Sequence, residues 1–216
     1  MFDRSKFADY LADYKRDFVD VTWPEEKHKW QAVQHFQDHW EVNADDFAGM
    51  LQSALSNTGN LLTSASRFPK RMIETAAKAD PEAVRAMFVD LFDETTDLYE
   101  RVDAFKKAAE TVVPRPEGRS HYQDESAITT YLWLRYPDKY YIYKWSLARD
   151  NASALDADFS FKMGDYANNL RDQLTFYDEI CEALRSDSEL RDLLKASLTS
   201  DCYPDPELKT LTIDFC

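Results

Sequence analysis

Tyr131-Leu-Trp-Leu-Arg-Tyr-Pro-Asp-Lys-Tyr-Tyr-Ile-Tyr-Lys-Trp145 places ten large apolar or aromatic side chains within fifteen residues. The part ahead of Pro137 reads as the end of a helix. Asp124 or Ser126 can cap its start, and Ile128, Tyr131, Leu132 and Tyr136 recur near helical spacing. Pro137 stops it, because the residue before a proline is pushed out of the helical region. Tyr140 to Trp145, aromatic and β-branched with Lys139 and Lys144 near its ends, predicts a strand. Large rings bury much area per residue, so this unit is expected to anchor the core.

Working outward, the helical pattern dominates. Phe7, Tyr10, Leu11, Tyr14 and Phe18 form a stripe over residues 3–20. Thr22-Trp-Pro-Glu-Glu26 reads as a helix start, with Thr22 as cap and the helix running to about Trp40. Its buried face is expected to carry Trp30, Val33, Phe36 and Trp40. Asn43 or Asp45 opens a further helix through Phe47, Met50, Leu51 and Leu55, which Asn57-Thr-Gly-Asn60 ends. Asp80-Pro-Glu82 starts the next, ahead of Val84, Met87, Phe88, Leu91 and Phe92. Leu98 to Val113 gives another. Asn151 to Asp165 reads as a loop, and two amphipathic helices follow, one through Tyr166 to Leu184 and one through Leu190 to Leu198. Near the end, Leu211, Ile213 and Phe215 alternate as in a strand.

These readings predict a mainly α fold of α+β type, a helical domain with a small β-sheet near 140–145 and 208–215. Four glycines in 216 residues agree with a helical chain. A helical part over 1–113 and an α+β part over 120–216 are expected within one compact unit, with the boundary in Pro114-Arg-Pro-Glu-Gly-Arg-Ser120. The chain stops at Cys216 without a polar tail, so it is expected to be a fragment of a longer protein.

Hydrophobic residues at 44% exclude general disorder. A net charge of −14 argues against indiscriminate coating of nucleic acid, which depends on neutralising phosphates. The charge is uneven: residues 150–216 hold 15 Asp/Glu against 6 Lys/Arg, while 101–149 hold 9 Lys/Arg against 6 Asp/Glu. A local basic face therefore remains compatible with the total. Cys181, Cys202 and Cys216 are widely spaced and form no CxxC pair, which fits a reducing cytoplasm. No apolar run reaches membrane-spanning length, so no membrane partner is expected.

His28, His35 and His39 share a helical stripe, but His35-Phe-Gln-Asp-His39 lacks the glutamate of HExxH, and no metal is expected there. Pro204-Asp-Pro-Glu-Leu-Lys209 has the acidic-acidic-lysine order of some nucleases, yet Asp205 and Glu207 sit inside one proline-bracketed turn, so it reads as a turn. No glycine-rich phosphate loop and no GxSxG is present. Neither a catalytic residue nor a cofactor is called for.

Gly59-Asn-Leu-Leu-Thr-Ser-Ala-Ser-Arg-Phe-Pro-Lys-Arg71 gathers Ser64, Ser66, Arg67, Lys70 and Arg71 where Pro69 begins a helix. Helix N-termini and cations together favour phosphate, and the same residues also suit an ordinary solvated helix start. In the aromatic unit, Tyr136 and Tyr140, with Trp133, Tyr143 and Trp145, suit either the stacking of an unpaired base or a packed core.

Lys29-Trp-Gln-Ala-Val-Gln-His-Phe-Gln-Asp-His-Trp40, Asp80 to Phe92, Tyr131 to Tyr143, and Cys202-Tyr-Pro-Asp-Pro-Glu-Leu-Lys-Thr-Leu-Thr-Ile213 resemble the N-terminal region of bacterial McrB-like proteins. Those are AAA+ GTPase subunits of modification-dependent restriction systems. The resemblance, running from about Trp23 onward, implies a GTPase domain C-terminal to this chain and a partner nuclease subunit of McrC type. It also implies a role here in recognising modified DNA in phage defence. The other reading is a protein-interaction or assembly module that senses a phage or host protein.

Overall fold

The computed structural model describes residues 1–115, 117 and 120–216. Among them are twelve α-helices: α1 (Arg4–Asp17), α2 (Trp23–Glu26), α3 (His28–His39), α4 (Phe47–Ala54), α5 (Pro69–Ala79), α6 (Pro81–Phe92), α7 (Leu98–Val112), α8 (Glu125–Arg135), α9 (Trp145–Ala154), α10 (Tyr166–Arg185), α11 (Ser188–Ser197) and α12 (Lys209–Phe215). A π-turn at Phe18–Thr22 and a 3-10 turn at Ser56–Leu61 complete the set. The fold is mainly α. No strand occurs among the described residues, so the expected small sheet is absent.

The failure of each strand has a physical cause. Tyr140–Tyr143 is buried but finds no ladder partner; the Ile142 carbonyl instead accepts from Gln173 Nε2 at 2.8 Å. Trp145, expected to end the strand, opens α9, which also takes in residues 151–154 of the expected loop. At the C-terminal end, Leu208, Leu211 and Phe215 are spaced i, i+3, i+7 as well as alternating. Asp205 decides between the two periods by accepting the backbone N–H groups of Thr210 and Leu211, which starts α12.

Elsewhere carboxylates set the helix starts, since the first N–H groups of a helix lack partners within it. Asp3, Asp46, Asp80, Asp97, Asp124 and Asp187 each accept from the first turn of α1, α4, α6, α7, α8 and α11. Asp46 takes the position expected of Asn43 or Asp45. Thr22 makes no capping bond and lies within the π-turn, and the helix expected from Trp23 to Trp40 is divided at Lys27 into α2 and α3.

The chain divides into two units, residues 1–31 with 137–216, and residues 32–136. The first encloses Phe2, Phe7, Leu11, Phe18, Trp30, Tyr141, Phe176, Ile180, Leu184 and Leu211. The second centres on Phe88, whose ring meets those of Trp40, Phe47, Phe92, Phe105 and Tyr131. Arg101 is buried there because its guanidinium donates to the carbonyls of Leu91 and Thr96. The Pro114–Ser120 loop belongs to the second unit, and its residues 116, 118 and 119 lie outside the described residues. No helix of the described residues is long and apolar enough to cross a membrane.

Candidate functional site

The entry to α5 is built by packing between residues 67–69 and 122–124. Phe68 meets Tyr122 edge-on at 6.1 Å, and buried Gln123 donates to the Pro69 carbonyl at 2.8 Å while accepting from Tyr131 Oη. Ser64 closes a tight turn, its amide donating to the Arg67 carbonyl and its Oγ accepting the Arg67 amide. Pro69 occupies the first turn and no side chain caps the helix. Pro69 has no N–H, and the Lys70 amide donates to the Leu62 carbonyl at 3.3 Å, so what this helix start offers an anion is chiefly its side-chain cations.

The expected basic residues gather here with different degrees of freedom. Arg67 pairs with Asp124, the carboxylate that also caps α8. Lys70 Nζ donates to the Ser56 carbonyl at 3.3 Å. Ser66 and Arg71 are exposed, and Lys78, two turns beyond Arg71, is exposed as well. Glu74 is the lone acid between 64 and 79; burial raises its pKa, and its Oε1 has no hydrogen-bond partner among the described residues. The exposed face of α5 is therefore cationic within an acidic protein.

The aromatic residues lie elsewhere. Tyr136 is half-buried, its Oη donating to the Phe92 carbonyl at 2.8 Å with the Arg135 guanidinium 4.9 Å over its ring. Tyr140 is 5% exposed and belongs to the other unit. Tyr131 and Trp133 are wholly buried in the second unit, as expected of a core anchor.

The histidines are engaged in their own backbone. His28 Nδ1 lies 2.9 Å from the Glu25 carbonyl, His35 Nε2 2.9 Å from that of Ser53, and His39 Nδ1 2.8 Å from that of His35. No group of three His, Cys, Asp or Glu among the described residues is placed to hold a metal. The residues of the Pro204–Lys209 turn diverge. Asp205 points inward to Thr210, Leu211 and Trp30 Nε1, Glu207 pairs with Arg185, and Lys209 pairs with Asp178. Burial pushes the Asp205 carboxyl up to about 6 against the three hydrogen bonds it accepts.

Sequence reasoning overlooked two cations beside that turn, Arg191 and Lys195 on α11, which are exposed and have no side-chain partner among the described residues. Asp187, one turn before Arg191, is taken by Lys15 and by the Leu190 amide. The signal available was two like charges four residues apart, a mildly unfavourable spacing. No protein-family model, no curated protein and no solved structure matches this chain.

Proposed function

We propose that this chain is a non-catalytic recognition module of an McrB-like restriction GTPase and that it engages DNA through phosphates. Four segments carry the resemblance, and the exposed cations of α5 are the observation that supports contact with DNA. Arg71 and Lys78 supply exposed charge against the single carboxylate of Glu74 on the same helix, while Arg67 becomes available by exchanging Asp124 for a phosphate. Base stacking on Tyr136 and Tyr140 forms no part of this reading, because Tyr140 is buried and the Tyr136 hydroxyl is bound to Phe92. Sensing a modified base would then fall to groove shape or to parts of the protein beyond this chain. On this reading the GTPase domain and an McrC-like nuclease subunit are its functional partners.

The test is competition between methylated and unmethylated duplexes for the wild-type chain and for the pair Arg71→Ala/Lys78→Ala. The proposal expects weaker binding of both duplexes by the variant, by a similar factor, since phosphate contacts are independent of sequence. Unchanged binding by the variant would remove α5 as the contact.

A further inference from the structure

The first unit contains a groove of about 540 Å³ between α11 and the turn that precedes α12. Leu194, Leu198 and Pro206 line it together with Arg185, Arg191 and Lys195, and Glu207, which also lines it, is paired with Arg185. Residues 150–216 hold only 6 Lys/Arg, so half of them line this one groove. Surplus carboxylates surround these cations in sequence, yet Arg191 and Lys195 remain unpaired among the described residues. Arg185 has a different part. Its guanidinium holds the Glu207 carbonyl at 2.7–3.1 Å and pairs with Glu182, bracing the turn that forms one wall. Asp205 also lines the groove, but its oxygens are turned to Thr210, Leu211 and Trp30.

We infer that this groove binds an acidic segment of a partner protein, with aliphatic side chains of that segment on Leu194, Leu198 and Pro206 and its carboxylates on Arg191 and Lys195. Charge complementarity selects the sign of the partner. Surplus carboxylates over residues 150–216 attract basic segments, whereas the cationic pair at this groove attracts acidic ones. The apolar lining of Leu194, Leu198 and Pro206 selects a peptide over a nucleic acid, because a phosphate backbone offers no aliphatic surface to pack on it. The wall is held by intrachain bonds, from Arg185 to the Glu207 carbonyl and from the Thr210 and Leu211 amides to Asp205. This site is independent of α5 and goes beyond the DNA reading.

A random peptide display library selected on the 216-residue chain, and counter-selected on Arg191→Glu/Lys195→Glu, tests the inference. Both residues are exposed, and matching thermal melts would show that the variant is folded. Selected peptides are expected to combine Asp or Glu with Leu, Ile or Phe, to lose about tenfold or more in affinity on the double variant, and to bind Arg71→Ala/Lys78→Ala unchanged. Peptides without acidic residues, undiminished binding to the double variant, or displacement of the peptides by duplex DNA would each overturn it. The last result would make the groove a phosphate surface.

Discussion

Replacing Asp205 by Ala should unfold the C-terminal end of the first unit before anything else. The side chain is fully buried, and its oxygens accept the Thr210 amide at 3.1 Å, the Leu211 amide at 2.8 Å and the Trp30 indole N–H at 3.2 Å. Truncation strands three buried donors, at a cost of about 1–3 kcal/mol each. Removing a charge that burial disfavours offsets part of this. The net loss near pH 7 is about 1–3 kcal/mol. The pH dependence has a definite sign. The folded carboxyl holds its proton more tightly than the unfolded one, so its contribution is complete below about 3.8 and declines as pH rises through about 6. Urea unfolding of wild type and Asp205→Ala, followed by tryptophan fluorescence, should therefore show a larger difference at about pH 5 than at about pH 7. A difference under about 1 kcal/mol at both would refute the reasoning that Asp205 starts α12. A difference that shrinks towards acid would show that the three hydrogen bonds outweigh burial.

Further outcomes separate core from surface. Trp133→Ala should cost about 3–5 kcal/mol, whereas Arg71→Ala should leave stability within about 0.5 kcal/mol, both read by thermal or urea unfolding. Dialysis against zinc followed by metal analysis should leave no stoichiometric metal, because no group of three His, Cys, Asp or Glu among the described residues is placed to hold one; zinc retained by wild type and lost on His35→Ala would contradict this.

Much of the fold was legible because it is written locally. The caps at Asp80 and Asp124, the stop at Pro137 and the buried faces of α3, α6 and α10 follow from short spacings. The sheet was misread because two periods coexist at the C-terminal end, and the residue that chooses between them, Asp205, acts through hydrogen bonds to backbone that sequence does not display. At the site, the clustering of Arg67, Lys70 and Arg71 was readable, but the pairing of Arg67 with Asp124 spans 57 positions and could not be. Density of aromatic residues alone did not distinguish a stacking surface from a core; burial of Tyr131, Trp133 and Tyr140 does. The groove cations became visible only once Asp187 and Glu189, near them in sequence, were seen to pair with Lys15.

The most direct measurement is a fluorescence-anisotropy titration of labelled duplex, methylated and unmethylated, with the wild-type chain at a series of low to moderate salt concentrations. Contact between two or three α5 cations and phosphates predicts binding at low salt that falls with a log–log slope of about −2 to −3, reduced by about 2 in Arg71→Ala/Lys78→Ala. No binding to either duplex at the lowest salt would contradict recognition of DNA by this chain and leave a protein as its ligand.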